Sequence, residues 1–262
     1  MSTPSPSPAQ PQATPPPISK AEVEAHFAPK PPPPPRKKVP EGTIDHFIRM
    51  AQPPASKPRL LLFGDSITEW SFRPGGWGAA LADTYSRKAD VLVRGYSGYN
   101  TRWALFLMRR VFPLVLNLCD HHIDLWCIVF FGANDAALLG RSCERNHVPV
   151  VEFKENLRAI VSHLKDCSKS MVILLITPPP VDEDGRERFA RLLYGYDARR
   201  LPERTNEMAG VYAGQCIELA KEIGVHCIDI WSKMQAVEGW QKLYLRDPLC
   251  RSTLEDIVVD KF

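Results

Sequence analysis

Three short loops of this chain carry groups that could do nucleophilic chemistry. The first, Gly64-Asp65-Ser66-Ile67-Thr68, ends an apolar run and offers a serine hydroxyl. Its glycine permits a tight turn and the close approach of a ligand. The second, Arg94-Gly95-Tyr96-Ser97-Gly98-Tyr99-Asn100-Thr101, offers backbone N–H groups at its glycines. The third, Gly132-Ala133-Asn134-Asp135, offers a side-chain amide. Taken singly, each reads as a turn, with Asp65 and Ser66 capping the next helix. Taken together, the loops supply a serine nucleophile, a glycine backbone N–H and an asparagine side-chain amide. Those are the parts needed to stabilise the oxyanion of an acyl-transfer intermediate.

The elements that must position these loops follow from apolar patterning. Arg59–Phe63, Val91–Val93, Leu125–Phe131, Met171–Ile176 and Val225–Ile230 read as five short strands. Gly78–Arg87, Thr101–Phe112, Val151–Asp166 and Arg204–Ile223 have helical periodicity, with Thr101 as an N-cap and Gly224 as a stop. Continuous apolar strands between amphipathic helices predict a parallel sheet covered on both faces. The expected fold is therefore α/β, a three-layer α/β/α sandwich with a five-stranded parallel, flavodoxin-like sheet. In such sheets the chemistry lies beyond the carboxyl ends of the strands, where the three loops fall. The polar stretch Asp182–Pro202 reads as a flap over the site or a solvated connection.

Composition divides the chain into two parts. Residues 1–58 hold 17 of the 25 prolines, with seven basic and four acidic side chains, so the net charge of +3 belongs to this leader. Residues 59–262 carry equal numbers of basic and acidic groups. No basic folded surface remains to favour nucleic acid. The leader reads as disordered and Pro-rich, because it cannot bury enough apolar surface to offset chain entropy. Pro31–Pro35 followed by Arg36-Lys37-Lys38 fits an SH3- or WW-type groove or an import signal, although a solvated spacer is the simpler reading, because composition alone supports the others. Ile44, Phe47 and Ile48 have the spacing of a short helix.

The apolar runs Leu125–Ala133 and Met171–Ile176 are far shorter than the roughly 20 residues of a membrane span. No apolar segment follows Met1 as a secretory signal would, so a cytoplasmic location is expected, with an organelle address left open. The seven cysteines (119, 127, 143, 167, 216, 227, 250) form no C-x-x-C pair and read as reduced thiols. A nucleotide-binding version of the fold would need G-x-G-x-x-G after the first strand or a P-loop, and neither is present.

The chain resembles the GDSL or SGNH serine hydrolases, in the branch of the isoamyl-acetate-hydrolysing esterases. The resemblance rests on "LLLFGDSITEWSF", "GGWGAALADTYSRKADVLVRGYSGYNTRWAL", "FFGANDA", "HVPVVEFKENL", "TPPPVDE" and "CIDIWSKMQAVEGWQ", in that order. It implies hydrolysis of small or medium acyl esters without metal or organic cofactor. It also implies Ser66 as nucleophile, and an oxyanion hole from the Ser66 and Gly98 N–H groups with the Asn134 side chain. Residues 59–262 would be the hydrolase-like domain, atypical after about residue 248.

The departure from the family lies there. The family's late Asp-x-x-His motif supplies the base and the carboxylate that orients it. The matching stretch is Asp247-Pro248-Leu249-Cys250, so Asp247 is retained and Cys250 stands where the histidine is expected. A thiol titrates near 8.5 and lacks the paired donor and acceptor of imidazole. The following "RSTLEDIVVDKF" is unlike the family's closing helix, although Leu254, Ile257 and Val258 would cover part of the same sheet face. Lower stability than a relative with the usual C-terminus is the expectation. Among the histidines, His226, His121 and His122 lie at the wrong end of the sheet, and His163 lies within a helix. His147 alone follows a strand's carboxyl end and is the candidate substitute base, its plainer role being a loop residue at the substrate rim. The alternative function is a catalytically impaired homologue that binds rather than turns over.

Overall fold

The computed structural model describes residues 57–114, 125–194 and 202–245. The leader's Pro-rich motif and its Ile44–Ile48 helix lie outside these, as do His121, His122, Asp247, Cys250 and the residues after Cys250.

The described elements run in the order β1 (Arg59–Gly64), α1 (Ser66–Glu69), α2 (Trp77–Thr84), β2 (Asp90–Gly95), α3 (Thr101–Val111) and β3 (Leu125–Phe130). They continue with α4 (Val150–Cys167), β4 (Val172–Ile176), α5 (Glu183–Tyr194), α6 (Asn206–Ile223), β5 (His226–Ile228), α7 (Ile230–Gln235) and α8 (Trp240–Tyr244). The five strands form one sheet in the order β2-β1-β3-β4-β5, and every pairing is parallel. This is the predicted α/β/α sandwich.

Alternation along the strands assigns the two faces. Leu61, Phe63, Cys127, Val129, Ile173 and Leu175 point into a core shared with Met108 of α3, Phe153 and Leu157 of α4, and Tyr212 and Leu219 of α6. Leu60, Leu62, Ile128, Phe130, Leu174 and Ile176 form the other core, with Trp77 and Leu81 of α2 and Met234 of α7. Phe63 meets Phe112 and Phe131 edge-to-face, with ring centroids 5.1 and 5.0 Å away. That locks the end of β1, next to the serine loop, into the first core.

Three boundaries differ from the sequence expectations, each for a capping reason. Asn100, not Thr101, caps α3: its side chain accepts from the Trp103 N–H at 3.0 Å. Asparagine one residue earlier takes the cap and leaves the Thr101 hydroxyl free for another partner. Helix α6 begins at Asn206, capped by the Thr205 hydroxyl, which leaves Arg204 outside the helix. Strand β5 stops at Ile228, because the Asp229 carboxylate accepts from the Ser232 N–H and starts α7. The predicted close of α6 holds: Gly224 sits at φ +68° as a left-handed C-cap. The stretch expected as a flap or connection contains a helix, α5, with acidic residues in its first turn and Arg191 in its last.

Because Phe63 is fully buried between two aromatic partners, Phe63→Ala should lose about 3–5 kcal/mol of unfolding free energy. Urea denaturation measures this, and a loss below about 1 kcal/mol would contradict the packing described.

Candidate active site

Strand β1 lies between β2 and β3, so the chain leaves β1 towards one neighbour and later returns on its other side. Such a reversal opens a crevice beyond the carboxyl ends of the strands. The loops after β1, β2 and β3 all reach it.

The β1 loop turns abruptly at Gly64. A Cβ there would lie 2.1 Å from Thr68 Oγ1 and 2.5 Å from the Phe130 carbonyl oxygen, so no other residue fits. Asp65 is buried and accepts from the Ile67 N–H at 2.9 Å, capping α1 as the plain reading of the loop predicts. Ser66 is the first residue of α1 and is partly exposed. Its N–H therefore lies in the first turn of a helix, where backbone donors lack intrahelical acceptors.

The β2 loop is anchored to the β1 loop. The Tyr96 N–H donates to the Gly64 carbonyl at 2.9 Å, and the Ser97 N–H donates to Glu69 Oε2 at 2.5 Å. Gly98 follows at φ +78°, a conformation that favours glycine, with open space where a side chain would begin.

The β3 loop carries Asn134, whose amide is held on both sides. Nδ2 donates to the Tyr99 carbonyl at 2.9 Å and makes a long 3.4 Å contact with Asp65 Oδ2. Oδ1 accepts from Arg204 Nη2 at 3.0 Å and from Asn146 Nδ2 at 3.5 Å. One side chain thus joins the loops after β1, β2 and β3. Beneath it, the fully buried Asp135 accepts at Oδ1 from the Thr101 N–H at 2.9 Å and from the Thr101 hydroxyl at 2.5 Å. That hydroxyl, spared from capping, also accepts from Asn156 Nδ2 at 3.1 Å.

Burial of these carboxyls has an electrostatic consequence. Desolvation raises Asp65 from 3.8 to about 7, against the Ile67 hydrogen bond that favours its ionised form. Desolvation likewise raises Asp135 to about 6, against the two Thr101 hydrogen bonds. The negative charge of Asp135 adds to the rise at Asp65.

These bonds draw together the loops that carry Ser66, Gly98 and Asn134. His147 lies on the same loop system: its Nδ1 is 2.7 Å from the Ala137 carbonyl oxygen, so Nδ1 carries the proton and Nε2 is the basic nitrogen. No hydrogen bond joins it to Ser66 among the described residues. His163 and His226 fall where expected, in α4 and at the start of β5. Of the aromatic residues near the motif loops, Trp77 is core and Tyr96 and Tyr99 pack against core, while Phe72 is exposed. Cys127, Cys167 and Cys216 are buried free thiols. No group of three or more His, Cys, Asp or Glu that could hold a metal ion occurs among the described residues. No described helix is long and apolar enough to cross a membrane.

Arg204 is a neighbour of Asn134 that no motif marks: helical periodicity alone places it at the start of a helix. Its signal lay in the Thr205-Asn206 pair, which takes over the helix start and releases the arginine toward Asn134.

The chain belongs to the GDSL-like lipase/acylhydrolase family, whose family model matches residues 60–262. A GDSL esterase/lipase of Arabidopsis thaliana is 58% identical over 193 residues, covering 74% of this chain and 78% of the relative. The human isoamyl acetate-hydrolyzing esterase 1 homolog is 43% identical over 194 residues, covering 73% of this chain and 74% of its own. The solved lipase/acylhydrolase of Enterococcus faecalis superposes with a TM-score of 0.57 at 23% identity, covering 78% of this chain and 94% of that one, and so shares the fold. The chain is therefore an ester hydrolase by family.

Asp65 binds its proton more tightly folded than unfolded, so folding takes up a proton between about pH 4 and 7 and stability declines across that window as pH rises. Asp65→Asn removes this contribution. The unfolding midpoint of the variant relative to the unsubstituted chain should rise from about pH 4.5 to about pH 7.5. A difference that is flat or falls with pH contradicts the burial argument.

Proposed function

We propose that this chain hydrolyses small or medium acyl esters through a covalent acyl-serine at Ser66. The single observation that carries the reading is the tethering of Asn134 beside the Ser66 turn, through Asp65 on one loop and Tyr99 on another. In this reading Ser66 Oγ attacks the ester carbonyl carbon, and the carbonyl π electrons move onto oxygen. The Ser66 and Gly98 N–H groups and Asn134 Nδ2 receive that oxyanion. Collapse expels the alcohol, which takes up a proton, and water then releases the acid from the serine. The donors do most for the rate because they are fixed before the charge develops. Relatives named as esterases support the substrate class.

The Ser66 proton must pass to a base. His147 Nε2 is the acceptor proposed among the described residues, and Asp247 keeps the carboxylate of the family's late motif. A second reading, an impaired homologue that binds esters without turnover, is favoured by one observation: Cys250 stands at the family's histidine position. An SH3- or WW-type contact of the Pro-rich leader accompanies the second reading, and a cytoplasmic location accompanies both, as proposals resting on the sequence alone.

Turnover of p-nitrophenyl acetate tests the reading. Ser66→Ala should abolish it, and Asn134→Ala should lower kcat by about 10²–10³. His147→Ala should lower it by a comparable or larger factor. Turnover no faster than that of Ser66→Ala in the unsubstituted chain would favour the second reading. Activity that survives Ser66→Ala would overturn the first.

A further inference from the structure

We infer that Arg204 is the positioning residue of the oxyanion hole, its guanidinium bridging the Ala133 carbonyl and the Asn134 amide so that Asn134 Nδ2 faces the serine turn. The inference rests on the reading of Asn134 under Proposed function and deepens it.

The geometry is that of a clamp. Arg204 Nε donates to the Ala133 carbonyl oxygen at 2.7 Å, and Nη2 donates to Asn134 Oδ1 at 3.0 Å. Two donors of one rigid fork therefore grip a backbone carbonyl and the adjacent side-chain carbonyl. The side chain is only 12% exposed, so water competes weakly for either bond.

An asparagine amide has two orientations related by a half-turn. In the observed one, Oδ1 faces two donors, Arg204 and Asn146, and Nδ2 faces two acceptors, the Tyr99 carbonyl and Asp65. The turned amide would set N–H groups against the guanidinium. Asn146 is distant at 3.5 Å, so the 3.0 Å bond from Arg204 is the main restraint on Oδ1. One Nδ2 hydrogen is spent on Tyr99. The other has only the 3.4 Å contact with Asp65, which leaves it for an oxyanion.

Arg204 is itself held. Its Nη1 lies 3.5 Å from Glu203 Oε2, which also accepts from Arg186 of α5 at 3.0 Å. Glu203 Oε1 accepts from the Ser142 hydroxyl at 2.5 Å, and the Glu203 carbonyl accepts from the Leu138 N–H at 2.9 Å. Glu203 thus ties the loop after β3 and helix α5 to the arginine. The guanidinium also brings a poorly solvated positive charge to the back of the amide, where an oxyanion would develop on its front.

A double-mutant cycle tests the inference, with kcat and KM measured for p-nitrophenyl acetate. Arg204→Gln should lower kcat by about 10–10² with KM changed less than about 3-fold. In the Asn134→Ala background the same substitution should cost less than about 3-fold, because its target is gone. Arg204→Lys should fall between, since a point charge cannot span both carbonyls. Equal losses in both backgrounds, or a loss confined to KM, would overturn the inference. A second readout needs no turnover. In ¹⁵N-labelled Ser66→Ala protein, the Asn134 side-chain amide should give one sharp proton pair, which Arg204→Gln doubles or broadens. An unchanged pair in folded Arg204→Gln would overturn the inference as well. If the unsubstituted chain shows no Ser66-dependent turnover, the reading of the site fails instead, and the amide spectrum alone decides the role of Arg204.

Discussion

The crevice depends on the hydrogen bonds of one buried amide. Asn134 meets the Tyr99 carbonyl, the Asp65 carboxyl and the Arg204 guanidinium, and so ties together three loops far apart in sequence. Each bond matters because its members are out of water, where an unpaired polar group costs about 1–3 kcal/mol. The parallel sheet makes the convergence possible. With β1 between β2 and β3, the loops after all three strands open on the same edge. The aromatic packing of Phe63 and the absence of a side chain at Gly64 then set where the serine turn stands.

A second layer supports the first. Asp135 is fully buried and is held by the backbone N–H and hydroxyl of Thr101, whose hydroxyl also receives Asn156 from α4. Asn100 caps α3 and donates from Nδ2 to the Asn146 carbonyl at 2.9 Å. Neighbouring side chains thus divide the work: Asn134 bonds the loops after β1 and β2 while Asp135 fixes its own loop to α3, and Asn100 caps α3 while Thr101 receives Asp135. The cost is two carboxyls with raised proton affinity beside the serine turn. Such perturbed groups are expected where a fold places polar atoms for function rather than for stability.

Much of this was legible in the sequence. The strands read as apolar runs because a parallel sheet buries both faces, and all five formed in the predicted order. A serine, glycine N–H groups and an asparagine amide were visible because each follows a strand in a Gly-containing loop, and the family resemblance singled out Ser66, Gly98 and Asn134 among them. What stayed hidden depended on contacts between residues distant in sequence. The N-cap of α3 moved from Thr101 to Asn100, which freed a hydroxyl for Asp135, 34 residues away. Arg204 reaches Asn134 across 70 residues, and no local pattern encodes that meeting. Helix α5 was masked by its polar composition, since it contributes charged partners such as Arg186.

Activation of Ser66 for acyl transfer, as proposed, is read by covalent labelling of the full chain with a fluorophosphonate, followed by mass mapping of the modified peptide. One stoichiometric adduct is expected on the peptide containing Ser66, absent from Ser66→Ala. A folded chain that takes no label, or takes it at another residue, would contradict it.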